Sequence, residues 1–355
     1  MSKMDINHIY KGKKVLVTGH TGFKGSWLTI WLLEMGAEVI GYSIDNGDEK
    51  GIFQRAKLQK KIKHISGDVN DLVKLQEAFR EYAPDLVFHL AAQPIVTESY
   101  EHPLETFRTN VLGTLHVLEC IKNSSTQVGV IVTSDKCYKN KDIRYSYKED
   151  DEMGGKDPYS ASKGCAEIIT HSYINSFFQQ QHKMVASVRA GNMLGGGDWA
   201  KDRIIPDSIR ALQSRSSVFI RNPSFVRPWQ HVLDPLHGYL LVGAKLLSGE
   251  KQAVGGWNFG PQSKEEVNVQ KLVERVIHYF GAGEATLNQN FSDGKESPLL
   301  SLDCSKAERQ IGWRPRLDIE KTIKLTVDWY KNYEESDVYY LCKEHLNFFT
   351  AQREA

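Results

Sequence analysis

Three glycines spaced three apart, Gly19, Gly22 and Gly25 in V-T-G-H-T-G-F-K-G, stand between an apolar run ending at Thr18 and an amphipathic stretch from Phe23 to Met35. In that setting glycines let a turn tighten and let the backbone approach a pyrophosphate, whose charge then rests on N–H groups at a helix N-terminus. Asp45 follows 20 residues after Gly25, where a carboxylate accepts hydrogen bonds from an adenosine ribose and repels a 2′-phosphate. The expectation is a dinucleotide site that takes NAD. The Lys-Gly-Ser order at 24–26 is not the Gly-Lys-Ser/Thr of a triphosphate-binding loop, which excludes that class.

A second pattern, Tyr-x-x-x-Lys, occurs at Tyr10/Lys14, Tyr159/Lys163 and Tyr339/Lys343. With 15 Tyr and 45 basic residues in 355 positions, a basic residue four after a Tyr arises about twice by chance, so context has to choose. Tyr10 precedes the cofactor strand and Tyr339 lies near the C-terminus; both pairs read as accidents on solvated surface. Tyr159 opens a segment of helical period after Pro158, 25 residues beyond Ser134 at the end of an apolar run. Tyr and Lys one turn apart share a helix face. An ammonium beside a phenol favours the phenolate, bringing a pKa of about 10 down toward use as a general base in alcohol oxidation.

These residues need a scaffold, and the sequence supplies one. Apolar runs at 13–18, 37–44, 85–91, 128–134 and 184–190 alternate with segments of helical period, as strands covered on both faces do. The fold class is therefore α/β: a doubly wound parallel sheet, Rossmann-type, with a second, smaller mixed α/β lobe. The expected division is 1–190 for the dinucleotide-binding unit, with a returning segment near 228–260, and 191–227 plus 261–355 for the second lobe. That lobe opens on the glycine-rich GNMLGGGDWAKD and carries helices at 268–281 and 318–333.

A net charge of +1 offers no field for polyanions, so no nucleic acid is expected. No apolar stretch is long enough for a membrane span, and the start lacks the apolar core of a signal peptide. A cytoplasmic protein without a membrane partner is the expectation. Cys120, Cys137, Cys165, Cys304 and Cys342 are odd in number and widely separated, so neither a disulfide framework nor a metal site is expected. His231 and His237 read as structural.

Together the residues resemble the extended short-chain dehydrogenase/reductase family. The likeness rests on T-G-x-x-G-x-x-G at 18–25, GDV at 67–69, HLAAQ at 89–93, Asn110 in TNVLGT, TSD at 133–135 and YSASK at 159–163, and it runs over nearly the whole chain. Longer strings, among them VTGHTGFKGSWL, TSDKCY, RAGNMLGGGDWAKDRIIPD and RPWQHVLDPLHGY, narrow it to nucleotide-sugar 4,6-dehydratases of the CDP-glucose type. The resemblance implies an enzyme that uses NAD within one catalytic cycle. Tyr159 would take the 4-hydroxyl proton as hydride leaves C4, Ser134 would hydrogen-bond the 4-oxygen, Lys163 would hold the nicotinamide ribose, and Asp135 would protonate the departing 6-hydroxyl. It also implies that the cofactor is lined by Gly19, Thr21, Gly22, Phe23, Lys24, Gly25, Asp45, Asp68, Val69, Leu90, Ala91, Ala92, Gln93, Asn110, Thr133, Tyr159, Lys163 and Arg189. Asn192, Trp199, Arg203, Arg221 and Arg227 would bind the nucleotide sugar, Trp199 either covering the base or packing its loop.

One departure matters. The dTDP-glucose relatives carry Asp-Glu where this chain has Asp135-Lys136, and that Glu abstracts the C5 proton. Either Lys136 is desolvated and neutral or another base serves. The resemblance also implies a homodimer, with tetramers an extension of it, in which segments 105–122 and 159–178 form a four-helix bundle across a two-fold axis. Readings left open are a nucleotide-sugar 4-epimerase, a GDP-mannose-type 4,6-dehydratase and a non-catalytic dinucleotide-sensing module.

Overall fold

Alternating burial builds the sheet. In β1 (Lys14–Thr18) Val15 and Val17 pack on one face while Leu16 packs on the other, and Val39 and Ile40 of β2 (Glu38–Ser43) divide the same way. The computed structural model describes residues 6–45, 47–141, 143–261, 267–288 and 300–352. The strands continue as β3 (Lys63–Ser66), β4 (Leu86–His89), β5 (Val128–Val132), β6 (Met184–Ala190) and β7 (Gly255–Phe259). All pair in parallel, in the order β7-β6-β5-β4-β1-β2-β3. This is the doubly wound sheet expected, and its order reverses beside β1, where ligands settle against strand C-termini in such folds. The KHIS segment of β3 was not among the expected strands. It is a partly exposed edge, so it carries no apolar run to betray it.

The longer helices are α1 (Phe23–Glu34), α2 (Leu72–Tyr82), α3 (Gly113–Lys122), α4 (Pro158–Tyr173), α5 (Ile204–Gln213), α6 (Leu233–Leu247), α7 (Val269–Phe280), α8 (Ile319–Asn332) and α9 (Val338–Ala351). A short helix, Pro103–Phe107, runs through a π turn at Arg108–Leu112 into α3, and α4 ends in another π turn, Ile174–Phe178. Outside the main sheet, three parallel strand pairs support the second lobe: Met193–Leu194 with Gln230–His231, Val218–Ile220 with Ala285–Leu287, and Ser146–Tyr147 with Ser301–Leu302.

The two halves share one apolar core, which runs from Val15 of β1 through Leu236 of α6 to Trp329 of α8. The C-terminal helix differs from the expected division. It packs on α1: Trp31 meets Phe349 edge-on at 5.5 Å, Trp27 stacks on His345 at 6.1 Å, and Lys343 pairs with Glu34 at 2.7 Å. No helix among the described residues is long and apolar enough to cross a membrane. Among the same residues no His/Cys/Asp/Glu cluster could hold a metal, and all five cysteines are free thiols.

Candidate active site

The glycine turn leaves no choice at two of its three positions. Gly19 has φ +70°, and a Cβ there would come within 2.8 Å of the Ala91 nitrogen; a Cβ on Gly25 would lie 2.2 Å from the Gly19 carbonyl oxygen. At Gly22 the nearest atom to a Cβ is 3.5 Å away. Gly22 is the N-cap of α1 and no side chain caps it, so the first backbone N–H groups of the helix are left for an outside acceptor. Asp45 is tied to this turn, its Oδ1 accepting from Thr21 Oγ1 at 3.1 Å and from Gly47 N at 3.0 Å, while Thr21 Oγ1 also lies 2.8 Å from Ser43 Oγ.

The neighbouring cofactor candidates gather at the same strand ends. Leu90 and Ala91 donate their N–H groups to Thr18 Oγ1. Asp68 caps its own loop through Asn70 N at 2.8 Å, beside buried Val69. Ala92 follows Ala91 in this loop. Gln93 N donates to Asn110 Oδ1 at 2.9 Å, and Asn110 Nδ2 donates to Ser162 Oγ at 2.9 Å, one residue before Lys163. Asn110 thus joins the loop after β4 to the helix that bears Tyr159.

One cavity is walled by Phe23, Lys24, Ser134, Asp135, Lys136 and Tyr159 on one side and by Asn192, Arg203, Phe219, Arg221, Phe225 and Arg227 on the other. Ser134 heads a short turn after β5, its Oγ donating to Asp135 Oδ1 at 3.0 Å and hydrogen-bonding Tyr159. Asp135 is buried, and its Oδ2 finds no partner among the described residues. Burial raises the Asp135 carboxyl above the ordinary range, against the opposing pull of Lys136, Ser134, Lys24 and Arg227. A carboxyl whose pKa is raised by burial at a cavity wall gives up a proton at higher pH than a solvated one, the property a general acid needs.

The expected lowering of Tyr159 by Lys163 is corrected by the structure. Burial pushes the phenol up to about 12; the hydrogen bond from Ser134 and the charge of Arg203 pull it back, and Asp135 adds to the rise. Lys163 instead aims its ammonium at the Val132 carbonyl, 3.4 Å away. Burial and then Lys24 push Lys163 down to about 8, while Glu167 works in the other direction.

Other expected residues are placed differently. Thr133 gives its hydroxyl to Glu167, and Arg189 is taken up by Glu167, Tyr138 and the Glu149 carbonyl. Both side chains are hydrogen-bonded to protein partners. Trp199 donates its indole N–H to the Lys50 carbonyl at 2.9 Å and lies edge-on to Tyr330 at 5.1 Å, so it packs its loop and does not wall the cavity. Arg203 pairs with Asp198 at 2.8 Å and Arg221 with Asp202 at 3.3 Å; both carboxylates also face the cavity. Arg227 stands 5.0 Å over the Phe225 ring. Tyr10, read from sequence as surface, is fully buried and donates to the Leu240 carbonyl at 2.8 Å. His231 and His237 are buried in the core, as structural histidines are.

Sequence reasoning missed Phe219, Phe225 and Asn222 in the cavity wall. A signal for Phe219 existed: in V-F-I, Val218 and Ile220 face inward and Phe219 outward, the period of two that sets an exposed aromatic on a short strand.

The chain matches the family model described as GDP-mannose 4,6 dehydratase over residues 16–326. It is 44% identical to CDP-glucose 4,6-dehydratase of Salmonella typhimurium, covering 95% of this chain and 96% of that protein. Its fold matches the dTDP-glucose 4,6-dehydratase DesIV of Streptomyces venezuelae, solved with NAD bound, at TM-score 0.78 and 24% identity, covering 90% of this chain and 97% of that one. UDP-glucose 4-epimerase of Thermus thermophilus in complex with NAD matches at TM-score 0.76 and 25% identity, covering 90% and 99%.

Proposed function

The chain belongs to the GDP-mannose 4,6-dehydratase family of extended short-chain dehydrogenases/reductases, and from that membership we propose that it is an NAD-dependent nucleotide-sugar 4,6-dehydratase converting CDP-D-glucose to CDP-4-keto-6-deoxy-D-glucose and water. The residues present fit the cofactor: an uncapped helix N-terminus behind Gly22 for the pyrophosphate, and Asp45 for an unphosphorylated ribose. Bound there, NAD would supply reversible hydride transfer, from C4 and back to C6, with no net redox change over the cycle.

The chain's own residues handle the protons. Tyr159, held by Ser134, removes the proton of the 4-hydroxyl. The resulting 4-keto group acidifies C5–H, and a lysine on the cavity wall in its neutral form, Lys136 or Lys24, takes that proton. Asp135 gives its proton to the 6-hydroxyl, which leaves as water, and the C5 proton is restored when hydride arrives at C6. Arg227 and Asn192, with Arg203 and Arg221, supply polar and positive groups for the diphosphate.

The observation that carries this reading is the buried, protonation-prone Asp135 beside Ser134 and Tyr159. A 4-epimerase has no hydroxyl to expel and needs no such acid. The test is incubation with NAD and a panel of nucleotide glucoses; CDP-glucose should lose water to the 4-keto-6-deoxy product. Formation of a C4 epimer without loss of water would overturn the assignment.

We infer further that the working unit is a cytoplasmic homodimer. Leu104, Leu112, Ile168 and Phe177 are exposed on the adjoining helical segments around α3 and α4, an apolar face that a second copy would cover.

A further inference from the structure

Glu167 lies on α4 one turn beyond Lys163, with its side chain 4% exposed. Its Oε1 accepts from the Thr133 hydroxyl and from Arg189 Nε at 2.9 Å; its Oε2 accepts from Ser187 Oγ at 2.6 Å and from Arg189 Nη2 at 2.7 Å. Arg189 Nη1 donates to Tyr138 OH at 2.6 Å and to the Glu149 carbonyl at 2.9 Å, and Tyr138 OH donates to Asn258 Oδ1 at 2.7 Å. The guanidinium has room because β7 passes it with Gly256, where a Cβ would lie 2.5 Å from Arg189 Nη2.

The positions at the two ends of this network give it a catalytic meaning. Thr133 immediately precedes Ser134, and Tyr138 follows the Asp135–Cys137 turn. The loop carrying Ser134, Asp135 and Lys136 is therefore held at one end by the Glu167 carboxylate, through Thr133, and at the other by Arg189, the partner of that carboxylate, through Tyr138. The reaction needs these two groups of residues in register, since proton transfer from the 4-hydroxyl uses α4 and proton transfer to the 6-hydroxyl uses the loop.

We propose that Glu167 is a positioning residue for the dehydration: through Thr133 and Arg189 it sets the loop that carries Ser134, Asp135 and Lys136 against α4, which carries Tyr159 and Lys163. This rests on the dehydratase reading above. The groups acting electrostatically with Lys163 are Lys24 from α1, Glu167 on α4, Cys137 from the turn and His89 from β4. Among them Lys24 disfavours its charged form, whereas Glu167 and the Cys137 thiol favour it. Buried charges in such networks act strongly because water does not screen them.

Glu167→Gln keeps the shape and removes the charge. Its kcat should fall on the order of 10²-fold while KM for CDP-glucose stays within about twofold, because the groups facing the sugar nucleotide are untouched. The basic limb of the kcat profile should move to lower pH, since Lys163 loses the charge that keeps it protonated. The pH above which NAD affinity weakens, read by tryptophan fluorescence without any sugar substrate, should move the same way. Thr133→Val removes only one hydroxyl; it should lower kcat without moving either pH limb, and it decides the matter if Glu167→Gln does not fold. Wild-type kcat and pH behaviour in a folded Glu167→Gln, or wild-type kcat in Thr133→Val, would overturn the proposal. A wild-type enzyme that binds NAD but leaves CDP-glucose unchanged would instead sink the substrate assignment, with the NAD arm still testing Glu167.

Discussion

At the scale of single residues, burial sets the chemistry of the site before any neighbouring charge does. It raises Asp135, which suits an acid, and it raises Tyr159, which opposes its work as a base. As a base, Tyr159 therefore depends on Ser134 and Arg203, the two groups that pull its pKa down. Asp135→Asn should spare reduction of bound NAD while slowing water loss by about 10²–10⁴-fold, so absorbance of the reduced nicotinamide accumulates; Tyr159→Phe should abolish that absorbance. Two lysines wall the cavity, and Lys24 is the one that burial and Arg203 push down to about 8. If Lys136 is the C5 base, Lys136→Ala stops exchange of the C5 hydrogen with solvent deuterium and Lys24→Ala does not; the reverse result transfers the role to Lys24. Asp45→Ala should narrow a wild-type preference for NAD over NADP, measured as the ratio of kcat/KM values, because the carboxylate no longer repels a 2′-phosphate.

At the scale of elements, helix termini do much of the positioning. Asp157 caps α4 through Ser160 N at 2.9 Å, which sets Tyr159 in the first turn. Asp234, at the start of α6, is fully buried; its Oδ1 accepts from Arg316 N at 2.6 Å and its Oδ2 has no partner among the described residues. Burial pushes this carboxyl up to about 7, against the backbone hydrogen bonds of Arg316 and Leu317. The folded protein thus holds a proton that the unfolded chain releases near pH 4, so the contribution of Asp234 is greatest below that pH and declines until about pH 7. The shift corresponds to roughly 4 kcal/mol between protonation states. Asp234→Asn should remove that decline: its Tm advantage over wild type grows from pH 4 to pH 7 and then levels off, and a constant difference in Tm across that range would refute the linkage.

For the whole molecule, the exposed face around α3 and α4 would link the proposed dimer to catalysis, because α4 carries Tyr159 and Lys163 on one side and Ile168, 58% exposed, on another. Ile168→Asp should yield monomers in sedimentation at micromolar concentration where the wild type is dimeric. Its kcat should fall as well, since α4 loses a support. A monomeric wild type would refute the dimer.

The parts of this protein legible in its sequence are those governed by local rules. Gly19 and Gly25 are dictated by a turn a few residues long, Tyr159 and Lys163 by one turn of one helix, and the buried strands by unbroken apolar runs; each pattern survives without knowledge of the rest of the chain. The edge strand Lys63–Ser66 was hidden because half-exposed strands need no apolar run. What the tertiary structure decided depends on residues far apart in sequence and on the exclusion of water. Thr133, Glu167 and Arg189 meet only when β5, α4 and β6 pack together, and on that meeting rests the proposed positioning of the loop after β5. Trp199 turns from the cavity because Lys50, 149 residues away in the chain, accepts its N–H. The directions of the Tyr159 and Lys163 shifts follow from desolvation, a property of the assembled interior that no spacing of residue types encodes.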